Sequence, residues 1–140
     1  MVKRTNRRTL PAFTPALDAW PDAGVYQLWI RLRRSVVLRV GGLGRLRFAA
    51  GTYIYTGRAT RGLRARVLRH VQGGRCRYWH IDYLLGSQAA RVVRVVLAST
   101  DPEDECRANM ATGCNAAVAA LRFGASDCRS GCPTHLWRVR

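Results

Sequence analysis

Residues 51–70 read GTYIYTGRATRGLRARVLRH, and this stretch decides the fold. Its first part is β-branched and aromatic, which is typical of a strand, and Gly57 is predicted to break that strand. Thr60 can then cap a helix from about residue 61 to 71, with Gly73-Gly74 at its end. Packing explains an apolar stripe on this helix, but it does not explain the run of arginines that ends in a histidine.

The residues before this segment read as antiparallel strands linked by hairpins. GVYQLWIRLRR, from Gly24 onward, alternates between apolar and polar side chains. SVVLRV and RLRF follow on either side of the turn GGLG. The front half of the chain is therefore predicted to be a small antiparallel sheet.

The second half mixes helices and strands. RYWHIDYLL reads as a short helix or irregular segment ending at Gly86, and the apolar run RVVRVVLAS predicts a central, buried strand. Asp101-Pro102 opens a helix to about residue 112, and NAAVAALRF is helical by propensity. SDCRSGCPTHLWRV reads as a loop leading into a last short strand. The pattern predicts an α+β fold, a small antiparallel β-sheet with helices packed on it.

Composition points to a polyanionic partner. The 140 residues carry 24 Lys and Arg against 8 Asp and Glu, for a net charge of +16, and every cation except Lys3 is arginine. The planar guanidinium matches phosphate oxygens, so nucleic acid is favoured over an anionic membrane. DNA is the expected partner, although nothing in the residues distinguishes it from RNA. No apolar segment reaches the ~20 residues of a membrane span.

The chain is divided into a basic, proline-punctuated N-terminal arm, residues 1–21, and a folded domain, residues 22–140. Prolines interrupt any apolar stretch in the arm, so it does not read as a secretory signal. Five cysteines, an odd number, indicate a reducing compartment and reduced or metal-bound thiols. A cytoplasmic location is therefore expected.

Several short motifs resemble the GIY-YIG nuclease superfamily, which includes the excinuclease C N-terminal domain and several homing and restriction endonucleases. They are GVY at 24–26, YTG at 55–57, an arginine and a histidine on the next helix, and a later helical glutamate. HIDYLL, the EC that opens a helix and SDC…C…HL are similar to a small branch, some of whose members are joined to DNA-repair domains. The resemblance covers about residues 22–139. It implies a GIY-YIG-like fold and a metal-dependent endonuclease acting on DNA.

The resemblance also implies a role for each matching residue. Tyr26 falls on the general base near the attacking water, Tyr55 on a supporting hydrogen-bonding tyrosine, and Arg66 on the arginine that neutralises the scissile phosphate. Glu105 matches the Glu-Cys of the branch and would hold a single Mg²⁺ or Mn²⁺, cations that prefer carboxylate oxygens. His70 lies four residues after Arg66 and shares its helix face.

Ordinary structural readings stand beside these roles. Tyr26 shares its strand face with leucine and isoleucine and could be a core tyrosine, and Tyr55 could be a strand aromatic. His70 could be a cation at a helix C-terminus. His80 resembles a second histidine of some superfamily members, but it could also be a half-buried histidine beside Trp79.

The remaining arginines of this region are interpreted as a solvated, phosphate-binding face. They are Arg58, Arg61, Arg64 and Arg69. Such a face would also serve a catalytically inactive nucleic-acid-binding module of the same fold, which is the alternative function.

A C-terminal cluster has the local spacing of a zinc site. Cys128, Cys132 and His135 lie close together in sequence, and Cys106 or Cys114 could complete four ligands. Because no second close pair exists, a reduced thiol cluster that packs the C-terminal loop is the other interpretation. A zinc-stapled interaction domain is a third candidate function.

Overall fold

The computed structural model describes residues 11–73 and 77–140, and it has the predicted α+β fold. The strands in these residues are β1 (Gly24–Leu32), β2 (Val36–Arg39), β3 (Arg45–Phe48), β4 (Gly51–Ala59), β5 (Ala90–Ser99), β6 (Ala116–Val118) and β7 (Leu136–Val139). The α-helices are α1 (Leu63–Gln72), α2 (His80–Leu85) and α3 (Glu105–Gly113). Short 3₁₀ segments span Thr14–Ala19, Gly41–Leu43 and Pro102–Asp104. Five strands form an antiparallel sheet in the order β5-β1-β4-β7-β6, and β2 and β3 form a separate hairpin.

The centre of the sheet is the pair β1 and β4, and here one prediction was wrong. Gly57 does not break β4, which continues to Ala59 with Gly57 paired opposite Tyr26. The strand continues because it stays paired with β1 at this position, and a glycine is needed because the Tyr26 ring covers it. A Cβ atom at position 57 would lie 2.5 Å from the Tyr26 hydroxyl. The glycine therefore makes room for a side chain on the neighbouring strand.

Helix α1 packs on the sheet through a buried stripe of Leu63, Val67 and Val71. The predicted cap is a second correction, because Gly62 rather than Thr60 precedes the helix. Asp22, just before β1, satisfies the first turn instead. Its carboxylate accepts from the Gly62 amide at 3.0 Å and its carbonyl from the Leu63 amide at 3.0 Å.

Strand β5 is present where the apolar run predicts a strand, but it lies at an edge of the sheet and not at its centre. Its only partner in the described part of the chain is β1. Residues in the middle of β5 remain partly exposed, and Val93 is 47% exposed. An apolar run alone does not separate a central strand from an edge strand.

The segment NAAVAALRF was predicted to be helical and is not. Ala116–Val118 forms β6, which pairs with β7, and the residues that follow are turns. Pairing with the last strand overrides the helical propensity of the alanines here. The helix opened by Asp101-Pro102 is confirmed in outline: the Asp101 carboxylate accepts from the Glu103 amide at 3.0 Å, and α3 follows.

The part of the predicted arm that the structure describes packs on the domain. In the 3₁₀ segment Thr14–Ala19, Leu17 is only 4% exposed and belongs to the main apolar core. Residues 1–10 lie outside the described residues. No helix within the described ranges is long and apolar enough to span a membrane.

Candidate active site

A polar cavity of about 200 Å³ opens beside the two central strands. Its walls come from β1, β4, α1, the start of α3 and the loop before β7. The lining residues are Tyr26, Tyr55, Gly57, Arg58, Arg66, Trp79, Glu105, Gly124, Asp127, Cys128 and His135. The structure thus brings Tyr26, Arg66 and Glu105, which lie far apart in sequence, to one cavity.

The register of β1 and β4 places both tyrosines on one face of the sheet. Tyr26 pairs with Gly57 and Tyr55 with Leu28, so the two rings are diagonal neighbours with centroids 6.4 Å apart. Tyr26 is 2% and Tyr55 7% exposed. The rings therefore form the packed floor of the cavity.

Tyr26 makes a buried hydrogen bond to helix α1. Its hydroxyl lies 3.0 Å from Nε2 of His70, a histidine that is 1% exposed. The other ring nitrogen, Nδ1, lies 3.8 Å from Oδ1 of Asp82, beyond hydrogen-bonding distance. The negative charge on that side favours the tautomer with its proton on Nδ1, which leaves Nε2 as the acceptor of the phenol proton.

Asp82 is held firmly behind His70. One of its oxygens, Oδ2, accepts from the Tyr78 and Trp79 amides, at 2.8 Å each, and from Nη2 of Arg69 at 3.2 Å. In the structure it caps α2, and its second oxygen faces His70.

The electrostatics of this pair keep both groups uncharged near pH 7. Burial raises the pKa of Tyr26 well above its ordinary value, and the nearby Tyr55 acts in the same direction. Burial lowers the pKa of His70 to about 4, against the opposing effect of the Asp82 carboxylate. The phenol is therefore protonated and the imidazole is neutral, so Nε2 of His70 can accept a hydrogen bond from the phenol.

Cations border the cavity on the α1 side. The Arg66 guanidinium donates to the Arg58 carbonyl at 2.6 Å and lies 4.9 Å from the centre of the Trp79 ring. The Arg58 side chain is 48% exposed and reaches within 3.9 Å of both Glu103 and Glu105. Arg58 thus lines the cavity as well as the outer surface. An anion entering here would meet two guanidinium groups.

Glu105 is the half-buried carboxylate at the opposite wall, with 21% of its side chain exposed. Its oxygens lie 3.9 Å from Arg58 and 4.0 Å from Nδ1 of His135, so neither partner is in close contact. Burial raises the pKa of Glu105, although the nearby His135, Arg58 and Arg66 act in the opposite direction. A loosely paired carboxylate of this kind suits a divalent cation, and Asp127 supplies a second carboxylate to the lining.

Other predicted site residues lie elsewhere. His80 accepts a hydrogen bond from the Gly124 amide at 2.9 Å through Nδ1 and packs beside Phe123, so in the structure it ties down a loop. Arg69 is paired with Asp82 and lies over Trp79. Arg61 and Arg64 are exposed on the outer side.

The C-terminal thiols converge with a residue of α3. Ligand atoms of Cys106, Cys128, Cys132 and His135 all lie within 4.8 Å of one another, so the structure selects Cys106 and not Cys114 as the fourth member. This Cys₃His group could hold a metal, and its donors suit zinc better than Mg²⁺. Burial raises the pKa of Cys132 to about 12. The fifth cysteine, Cys76, lies outside the described residues.

The sequence did not predict where three participants lie: Asp82 behind His70, Trp79 beneath the arginines, and Asp127 in the cavity wall. One signal was available for the first, because Asp82 is the sole acidic residue between Asp22 and Asp101, among many arginines. Such a residue is expected to pair with something. The other two are brought in by loops whose course the sequence does not reveal.

The fold and the cavity define an α+β protein with a tyrosine-floored, arginine-bordered pocket and an adjoining Cys₃His group. Residues 25–140 match the family described as Domain of unknown function DUF123, and the chain belongs to that family. Comparison with curated proteins gave no match, and neither did comparison with solved structures.

Proposed function

We propose that this protein is a metal-dependent endonuclease that hydrolyses phosphodiester bonds in DNA. The observation that carries the proposal is the convergence of Tyr26, Arg66 and Glu105 on one cavity. The motifs that resemble the GIY-YIG superfamily supply these residues. A role in DNA repair is part of the same proposal and rests on the resemblance alone.

The tyrosine and histidine provide a path for the proton of the attacking water. As the water oxygen bonds to phosphorus, its proton passes to the Tyr26 oxygen while the phenol proton moves to Nε2 of His70. The P–O bond to the departing sugar oxygen breaks, and that oxygen takes a proton from solvent. The imidazolium formed at His70 faces the Asp82 carboxylate, which stabilises its charge.

The arginines would bind the phosphate, and the carboxylate would bind the metal ion. Arg66 and Arg58 are placed to bind the scissile phosphate and to offset the charge that develops on its oxygens. Glu105 would hold the Mg²⁺ or Mn²⁺ ion, with water and substrate oxygens as further ligands. When bound, such an ion polarises the phosphate and favours departure of the sugar oxygen.

Exposed arginines on and just before α1 would bind DNA without taking part in the reaction. Arg64 is exposed on the same helix as Arg66, and Arg61 is exposed two residues before that helix begins. They are suited to phosphates that flank the cleaved one, whatever the base sequence. Since Arg69 is engaged with Asp82, it is assigned here to support of the site.

Cleavage of a panel of linear, nicked, looped and branched duplexes, with an RNA duplex included, tests this function. We expect cleavage only with Mg²⁺ or Mn²⁺, and a loss of about 100-fold or more in Glu105→Gln, because a bound cation contributes several kcal/mol to such reactions. Glu103→Gln is the matched control, since its side chain is 82% exposed two residues away. Equal rates in the parent and Glu105→Gln would refute the assigned site. Binding without cleavage under either metal would identify the inactive nucleic-acid-binding module.

A further inference from the structure

Three thiols and an imidazole meet at the junction of α3 with the segment before β7. The Sγ atoms of Cys106 and Cys128 are 3.6 Å apart, and the four ligand atoms span no more than 4.8 Å. With Zn–S bonds of about 2.3 Å, a tetrahedral site has S···S edges of about 3.8 Å. The group already has nearly the dimensions of a zinc site.

The histidine is oriented as a metal ligand would be. Nδ1 of His135 lies 3.1 Å from the carbonyl oxygen of Thr56, so this nitrogen carries the proton and donates it. Nε2 is then left with its lone pair, buried, and without a hydrogen-bond partner in the described part of the chain. Zinc-bound histidines commonly donate their second N–H to a backbone carbonyl in this way. A buried nitrogen lone pair costs free energy unless it accepts a hydrogen bond or binds a metal ion.

The surrounding segment has no regular secondary structure. Residues 119–135 connect β6 and β7 through 17 positions of turns without a helix or strand. Connections of this length in a compact domain are uncommon unless they are functional or held by an added constraint. Cys106 is the one ligand on a helix, so a bound ion would fasten this segment to α3.

From these observations we infer that Cys106, Cys128, Cys132 and His135 form a structural zinc site. Three thiolates and one imidazole select zinc over Mg²⁺ or Mn²⁺, and four protein ligands leave no open position for catalysis. The site neighbours the cavity: Cys106 directly follows Glu105, and Cys128 and His135 line the cavity wall. A zinc ion here would hold the first turn of α3 in place. The inference does not depend on nuclease activity.

Metal content of the 140-residue chain is the direct test. The protein is expressed with added zinc, purified without chelator and analysed by mass spectrometry of the elements. We expect one zinc per chain in the parent and in Cys114→Ser, and a loss of most of it in Cys106→Ser. Cys114 is a matched control because it is an exposed cysteine on the cap of the same helix.

A second measurement covers the case in which Cys106→Ser does not fold. The parent, stripped of metal under reducing conditions, is titrated with Co²⁺, whose absorption reports tetrahedral thiolate coordination. We expect one equivalent to bind and zinc to displace it. A parent without zinc and without cobalt binding overturns the inference. So does a Cys106–Cys128 disulfide in the purified protein, or full zinc content in Cys106→Ser.

Discussion

Tyr26 and His70 share a hydrogen bond although burial moves their pKa values in opposite directions. Both changes favour the uncharged form, since both side chains lie in the packed interior. The consequence for stability can be measured. Unfolded chains take up a proton at a histidine near pH 6.5, whereas folded His70 stays neutral until about pH 4.

We therefore expect the free energy of unfolding to fall as the pH is lowered from 6.5 towards 4, with His70 contributing about 3 kcal/mol to the loss. His70→Gln should show a shallower decline over this range, because glutamine does not titrate. Between pH 7.5 and 8.5 the two curves should run parallel, since histidine is neutral in both states there. Urea unfolding followed by tryptophan fluorescence measures both ranges. Equal slopes below pH 6.5 would contradict the assignment.

Gly57 gives a second residue-scale prediction. Alanine there places a Cβ atom 2.5 Å from the Tyr26 hydroxyl and 2.6 Å from its ring. The ring is buried and its hydroxyl is hydrogen-bonded to His70, so it cannot move aside without loss of packing. We therefore expect the unfolding free energy to fall by about 1–3 kcal/mol and cleavage to be lost. Gly42→Ala is the control, because nothing lies within 4 Å of a Cβ added there. Similar stability of both variants would contradict the packing described.

At the scale of elements, the N-terminus of α1 is capped by a residue from another part of the chain. Asp22 accepts hydrogen bonds from the Gly62 and Leu63 amides with its carboxylate and carbonyl. We expect Asp22→Ala to lower the unfolding free energy by about 1 kcal/mol, as for other helix caps. Asp18→Ala removes the same charge from an exposed position in the same region. Thermal unfolding of both proteins makes the comparison, and an Asp18→Ala effect as large as that of Asp22→Ala would argue against the cap.

The cap also shows what could be predicted from the sequence and what could not. Alternation in β1 and the glycine that ends α1 are local signals, and they indicated those features correctly. Asp22 lies forty residues before the amide that it caps, so no local pattern identifies it. β6 is a similar case, because its alanines favour a helix and only pairing with β7 makes them a strand. The site follows the same division: motifs indicated Tyr26, Arg66 and Glu105, whereas Asp82 and Cys106 join their partners through tertiary packing.

The whole molecule carries a large positive charge. The net charge is +16, and Arg58, Arg61 and Arg64 are exposed near the cavity. If this face binds DNA, released counterions make the logarithm of the binding constant fall linearly with the logarithm of salt concentration. We expect Arg61→Gln to reduce that slope by about 1, the value for one lost phosphate contact.

Fluorescence anisotropy with a labelled duplex at several potassium chloride concentrations measures this slope. Arg45→Gln, an exposed arginine in the separate β2–β3 hairpin, serves as the comparison and should leave the slope unchanged. Identical slopes for both variants would show that the bound surface does not include Arg61. A slope near zero for the parent would argue against nucleic acid as the partner.

The space that Gly57 leaves for the Tyr26 ring also limits which substitutions evolution can accept at either position. A large aromatic at 26 and no side chain at 57 occupy one shared volume. A substitution that adds bulk at 57 clashes while the aromatic remains at 26, and a small residue at 26 would remove the clash but also the hydroxyl that the proposed reaction needs. Although they are thirty-one residues apart, positions 26 and 57 therefore constrain each other's substitutions.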